Sequence, residues 1–162
     1  IGVVFGQRSQ LWWDLPARDS FDLLRTIYRV PDSQYRPRRD ELIDRLNLSD
    51  LVDVPVRQMS LGQRMRCEIA ASLLHAPQLL FLDEPTIGLD ADSKLALRDF
   101  VRTLHRERGT TVLLTTHDMH DVEALCPRVL VIARGRLLVD GSLEALRRQT
   151  MHERWLIVES DE

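Results

Sequence analysis

Two short apolar runs, each ending in a polar cluster, constrain the fold more than any other feature. Leu79 to Leu82 stops at Asp83-Glu84-Pro85-Thr86, and Thr111 to Thr115 ends in the cluster Thr115-Thr116-His117-Asp118. A continuous apolar run of this length predicts a strand covered on both faces, as in a parallel sheet. Between the two runs Asp90 is placed to cap a helix. Its Leu97, Phe100, Val101 and Leu104 form one stripe, Arg106 and Arg108 fall in the last turn, and Gly109 lies just past it. A short helix over Asp118 to Cys126 and a third strand over Arg128 to Ala133 extend the series to βαβαβ. That series predicts an α/β fold with a parallel sheet and right-handed crossovers. Arg134-Gly135 turns the chain into Leu137 to Val139, Gly141-Ser142 starts a final helix to about Gln149, and the tail carries an apolar run from Trp155 to Val158.

The first half reads as helical. Ile1 to Phe5 is an apolar β-type run with no start signal before it, which suggests an element begun upstream. A loop from Gly6 to Pro16 carries Trp12 and Trp13, of which at least one is expected to anchor the core and the other to lie on a partner surface. Ser20 is placed to cap a helix over Phe21 to Val30, which Pro31 stops. Asp32 to Arg39 is polar and basic, Asp40 to Leu48 suggests a short amphipathic helix, and Ser49 to Met59 reads as a linker. A stronger helix follows from Ser60 to about His75.

Composition narrows the class. With 162 residues, 44% hydrophobic and 29% charged, the chain can build a core without disulfides or metals, and its two cysteines imply no staple framework. No apolar run approaches the roughly 20 residues that span a bilayer, and the start has no signal-peptide pattern, so a soluble cytoplasmic chain is expected. The net charge of −3 gives no broad attraction to nucleic acid. Of the 22 basic residues only Lys94 is lysine, so any chemistry that needs a lysine must use it.

Ligands in open α/β sheets sit outside the carboxyl ends of the strands, which directs attention to the two polar clusters. Asp83 and Glu84, consecutive on an extended chain, should point to opposite faces, and Pro85 should bias Glu84 toward extended geometry. Asp83, closing an apolar run, suits a magnesium ion, leaving Glu84 to orient or deprotonate a water. Ser60-Leu61-Gly62-Gln63 reads as a capping box. Gly62 in the first turn, with Arg64 and Arg66 close behind, also fits a helix N-terminus that receives an anion, phosphate above all. His117 ends the strand expected beside that of Asp83. A transition-metal site from His117, His120 and Cys126 is a weaker reading, because no fourth ligand accompanies them.

Taken together these residues resemble the nucleotide-binding domain of ABC ATPases. Met59-Ser60-Leu61-Gly62-Gln63 is similar to the LSGGQ signature, with Met and Leu in its first and third places. Leu79-Leu80-Phe81-Leu82-Asp83 is similar to Walker B, Glu84 to the catalytic glutamate, Ile87-Gly88-Leu89-Asp90 to the D-loop, His117 to the switch histidine and Gln7 to the Q-loop glutamine. The resemblance runs from residue 1 to about Ser142. It implies a P-loop NTPase-like parallel sheet, partial here, with an α-helical subdomain. The implied parts are a strand end at 1–5, the Q-loop, helical subdomain and signature helix at 6–76, a RecA-like core at 77–150 and a tail at 151–162.

By that resemblance Asp83 and Gln7 help hold Mg²⁺, Glu84 activates the attacking water and His117 contacts the γ-phosphate. Ser60, Gly62 and Gln63 bind the γ-phosphate of ATP held mainly by the opposite subunit of a head-to-tail homodimer, and Asp90 couples the two sites. The implied function is the ATPase subunit of an ABC transporter, peripheral at the inner face of the cell membrane, with the helical half docked on a transmembrane permease subunit. The alternatives are a soluble ABC ATPase acting on ribosomes or nucleic acid, for which Arg36 to Arg39 is the only hint, and a non-catalytic fragment. A P-loop needs G-x-x-x-x-G-K-[ST], and no such segment occurs in these residues. The chain is therefore expected to be the C-terminal portion of a domain whose P-loop lies before Ile1, and to be inactive on its own.

Overall fold

Three parallel strands organise the first part of the chain in the computed structural model, which describes residues 1–6 and 8–150. Strands β1 (Gly2–Phe5), β2 (Leu79–Asp83) and β3 (Thr111–Thr115) pair in the order β1-β2-β3. Phe5, Asp83 and Thr115 share one register line, so the strands end together at their carboxyl edge. Burial of β2 alternates: Leu80 and Leu82 are buried, whereas Leu79 and Phe81 are half-buried. One face is thus fully covered and the other only partly, a difference from the two-sided covering that its apolar run predicts.

Helices α1 (Ala17–Ile27), α2 (Asp32–Arg45) and α3 (Leu61–Leu73) follow β1, with a 3-10 turn at Val56–Gln58 before α3. Helix α1 starts four residues before its predicted N-terminus, and Ser20 caps nothing; its hydroxyl instead accepts from the Trp12 amide at 2.9 Å. Helix α2 joins the polar and basic stretch from Asp32 to the helix predicted from Asp40, and contains Pro37. A proline there costs a backbone hydrogen bond. The cost is met by Tyr35, whose buried ring lies under the Arg25 and Arg39 guanidiniums at 5.3 and 5.5 Å and whose hydroxyl donates to Asp22 at 2.7 Å. Burial and the Asp22 carboxylate push the Tyr35 phenol far above its ordinary range. Arg36, Arg38 and Arg39, the basic hint of the sequence, bond to Asp32, the Leu74 carbonyl and Asp40.

Helix α4 (Ala91–Arg108) has the predicted ends: Asp90 caps the Ser93 amide, and Gly109 closes the helix at φ +63°. The largest fully buried side chains, among them Phe21, Tyr35, Leu42, Ile69, Leu73, Leu80 and Leu82, come from α1, α2, α3 and β2. They form the core of the first compact unit, Ile1–His117.

The second unit begins at Asp118 and is described through residue 150. It holds α5 (Met119–Leu125), β4 (Val129–Ala133), β5 (Arg136–Gly141) and α6 (Leu143–Thr150). Strand β4 does not extend the parallel sheet as predicted. It pairs antiparallel with β5 through a turn in which Arg134 and Gly135 both take positive φ, and Arg128 clasps Asp140 with two bonds of 2.7 Å. Two left-handed residues in sequence make the tight hairpin turn whose twist matches paired strands, and closing it costs far less chain entropy than a crossover. The tail run Trp155 to Val158 lies outside the described residues. Among the described residues no helix is long and apolar enough to cross a membrane.

Phe21 has no solvent exposure. Phe21→Ala is expected to lower the unfolding free energy of the protein by about 3–5 kcal/mol. Denaturant titration measures this, and a loss under about 1 kcal/mol would place Phe21 outside the core.

Candidate functional site

The register of β2 and β3 brings two polar clusters side by side. Asp83, last in β2, accepts a hydrogen bond at Oδ1 from the Thr115 hydroxyl at 2.5 Å, and its carbonyl accepts from the Gly6 amide at 2.7 Å. The carboxylate is exposed at the strand end. An exposed carboxylate beside a hydroxyl is an all-oxygen donor set of the kind that suits a hard divalent cation.

Glu84 departs from its predicted extended geometry. Its φ is +49°, in the left-handed region that a non-glycine residue rarely enters, while its amide still donates to the Thr115 carbonyl at 2.9 Å. The strand therefore breaks at Glu84 rather than continuing, and the carboxylate reaches His117, with Oε1 2.8 Å from Nδ1. The Glu84 side chain is 30% exposed and that of His117 75%. Backbone strain of this sort costs on the order of 1–3 kcal/mol and persists where the surroundings over-determine it. Here the Thr115 carbonyl holds the Glu84 amide from one side. Gly6 closes the other, since a Cβ at that position would sit 2.3 Å from the Glu84 carbonyl oxygen.

At the start of α3 the capping box forms in full. Ser60 Oγ accepts from the Gln63 amide at 3.2 Å, and Gln63 Oε1 accepts from the Ser60 amide at 2.8 Å. Gly62 is buried, and a Cβ there would lie 2.6 Å from Ser93 Oγ. Close packing against the first turn of α4 gives the glycine a structural reason beside the backbone access for an anion that the sequence suggests. Arg64 and Arg66 also have other partners. The Arg64 guanidinium lies 5.7 Å from the Trp13 ring, and Arg66 donates to the Leu46 and Asn47 carbonyls at the end of α2. Asp90 accepts from the Ser93 amide at 3.1 Å and the Ser93 hydroxyl at 2.6 Å, and these bonds hold its carboxyl below the usual range.

The predicted residues thus fall into two groups joined by the segment 84–90. Asp83, Glu84 and His117 meet at the ends of β2 and β3, and Gly62, in the turn capped by Ser60 and Gln63, lies beside Asp90 where α3 and α4 begin. Gln7 lies outside the described residues.

Comparison with known proteins places this geometry. A family described as "AAA domain, putative AbiEii toxin, Type IV TA system" matches residues 13–120. A daunorubicin resistance ATP-binding protein of Streptomyces coeruleorubidus is 38% identical over 154 residues, covering 95% of this chain and 48% of that protein. The ABC transporter ATP-binding protein NatA of Bacillus subtilis (strain 168) is 34% identical, covering 90% of this chain and 59% of that protein. The chain belongs to this AAA-domain family, and the relatives it resembles are ABC transporter ATP-binding proteins. A solved structure of CbiO1 from Clostridium perfringens, part of an ABC transporter complex, superposes with a TM-score of 0.79 at 28% identity, over 91% of this chain and 59% of that one. The chain spans about half the length of the curated relatives it matches.

Within this domain, two contributors to the site, Ser93 and Gly6, lie outside the residues that the sequence singles out. Thr115, the first residue of the second polar cluster, holds Asp83 and Glu84 through its hydroxyl and its carbonyl. Its signal was available, since a threonine closing an apolar run beside an acidic strand end can turn a hydroxyl toward it. Ser93, and Gly6 as the residue that lets the Glu84 carbonyl approach, gave no such signal. Neither Trp12 nor Trp13 is a core anchor; they are 47% and 52% exposed.

The packing of Gly62 on Ser93 is testable. Gly62→Ala is expected to destabilise the domain by about 1–3 kcal/mol through overpacking, and Ser93→Ala in the same chain to recover part of that loss. Thermal unfolding of the single and double variants reads the coupling; strictly additive effects would show that the two residues do not meet.

Proposed function

We propose that this chain is part of the ATP-hydrolysing subunit of an ABC transporter. The observation that carries the reading is the pairing of Glu84 with His117 beside Asp83, where two neighbouring strands end together. Glu84 Oε1 is held by the ring nitrogen of His117, so the carboxylate is oriented before a water arrives and can take that water's proton as it attacks the γ-phosphate. His117 orients Glu84 and contacts the γ-phosphate. Asp83 and Gln7 would hold Mg²⁺, which when bound neutralises charge on the phosphate oxygens. Thr115 keeps the Asp83 carboxylate in place through its Oδ1.

The capping box leaves room for a second role at Ser60 and Gln63. Capping uses a lone pair of Ser60 Oγ and the Gln63 side-chain oxygen, so the hydroxyl hydrogen of Ser60 and the amide hydrogens of Gln63 remain as donors to a phosphate. In this reading they reach the γ-phosphate of ATP bound mainly by the opposite subunit of a head-to-tail homodimer, and Asp90, fixed by Ser93, lies on the path between the two sites.

The strand end 1–5 and residues 77–150 form the ATPase core in this proposal, and residues 6–76 form the part that docks on a transmembrane permease subunit. Large apolar side chains exposed in that part, Trp12, Trp13, Ile27 and Tyr28, support the docking. The protein would then sit at the inner face of the cell membrane through its partner.

In the full-length protein Glu84→Gln is expected to slow ATP turnover by about 10²–10⁴-fold while nucleotide binding persists. Phosphate release and equilibrium nucleotide binding measure the two; unchanged turnover removes Glu84 from its role. Ser60→Arg places a bulky cation at the shared site and is expected to abolish ATP-dependent dimerisation on size-exclusion chromatography. A wild-type dimer in that variant would overturn the assignment of Ser60.

A further inference from the structure

Glu68 is a carboxylate buried to 3% exposure in the middle of α3, between Cys67 and Ile69, which have none. It serves no step of the proposed chemistry. A buried acid is costly unless its oxygens find donors, and those of Glu68 find them all in one place. Oε1 accepts from the Ser9 hydroxyl, Oε2 accepts from the Gln10 amide at 3.3 Å, and the Gln10 side-chain amide donates to the Glu68 carbonyl at 3.2 Å. Ser9 Oγ accepts in turn from the Leu11 amide at 3.1 Å. Burial pushes the Glu68 carboxyl above its ordinary range, and the bonds from this loop oppose that rise.

The loop so held begins where β1 ends. Gly6, before it, is tied to the Asp83 carbonyl at 2.7 Å, and Trp12, after it, to the Ser20 hydroxyl at 2.9 Å. Between these two, Leu11 is buried and Glu68 holds Ser9 and Gln10; Glu68 lies on the same helix as Ser60, two turns further on. Ser9 and Gln10 are themselves exposed, so apolar burial does not fix their position. The hydrogen bonds to Glu68 do.

We propose that Glu68 is a positioning residue that locks the loop following Gln7 onto the helix carrying Ser60, so that the two move as one piece during turnover. The proposal rests on the ATPase reading above. Replacement by glutamine should preserve the lock. The amide oxygen can accept from the Gln10 amide, the amide nitrogen can donate to Ser9 Oγ, and the Ser9 hydroxyl can turn to the Leu11 carbonyl, already 3.3 Å away. Alanine leaves the loop donors without that partner.

The test compares wild type, Glu68→Ala, Glu68→Gln and Ser9→Ala in the full-length protein, by hydrogen exchange of segment 8–12 and by steady-state ATP hydrolysis. Glu68→Ala is expected to speed exchange at the Gln10 and Leu11 amides about tenfold, with α4 unchanged, and to lower kcat about tenfold with KM within about twofold. Glu68→Gln is expected to restore both to within about twofold of wild type. Ser9→Ala, which alters only an exposed side chain, gives the same directions with smaller size and serves if Glu68→Ala does not fold. Unchanged exchange in the alanine variants overturns the lock. Faster exchange with unchanged kcat overturns the positioning role. Absence of hydrolysis in the wild-type protein overturns the ATPase reading instead, and the exchange data still decide the lock.

Discussion

The parallel pairing of β2 with β3 is the interaction on which the site depends. Its register sets Asp83 opposite Thr115. From that one alignment follow the hydroxyl bond to the Asp83 carboxylate, the backbone bond from Glu84 to Thr115 and the approach of His117 to Glu84. A slip of one residue would turn every side chain of the strand to the other face and separate these groups. The alternate burial of Leu80 and Leu82 guards against that slip, because it would bring two buried leucines out to the half-covered face.

Around this pairing the protein uses close backbone approach where a side chain would obstruct. Gly6 lets β1 pass against the carbonyl of Glu84, and Gly62 lets the start of α3 meet Ser93 on α4. The two contacts brace the segment 84–90 from both ends, and that segment links the Glu84 group to the Ser60 group. Strain at Glu84 is sustained by this bracing. The same segment carries Glu84 and the Ile87-Gly88-Leu89-Asp90 stretch that resembles the D-loop, so structural support and part of the chemistry fall on one stretch.

Elements with local signals were legible. Helix α4 has an acidic N-cap, basic residues in its last turn and a glycine past its end, and the structure reproduces those bounds because each signal acts within a few residues. Strands β2 and β3 were legible as apolar runs, and their adjacency followed from the strand-helix alternation. Helix α2 was legible only in its second half, from Asp40. Its Pro37 and charged residues argue against a helix locally, and only the burial of Tyr35 between α1 and α2 outweighs them. Strand β4 pairs with β5 instead of joining the parallel sheet that the alternation predicts for it, since strand propensity says nothing of which partner a strand takes.

By itself the sequence determined which residues could carry chemistry and in what order: acidic strand end, capped glycine helix, D-loop acid and strand-end histidine. These are matters of residue type and spacing, and local physics suffices for them. Tertiary structure alone decided that Glu84 leaves the extended region to meet His117, that Thr115 and Ser93 support the site, that Gly62 serves packing, and that Glu68 is buried against the loop after Gln7. Each of these depends on groups far apart in the chain, whose meeting is fixed by sheet register and helix packing. No window of sequence contains both partners.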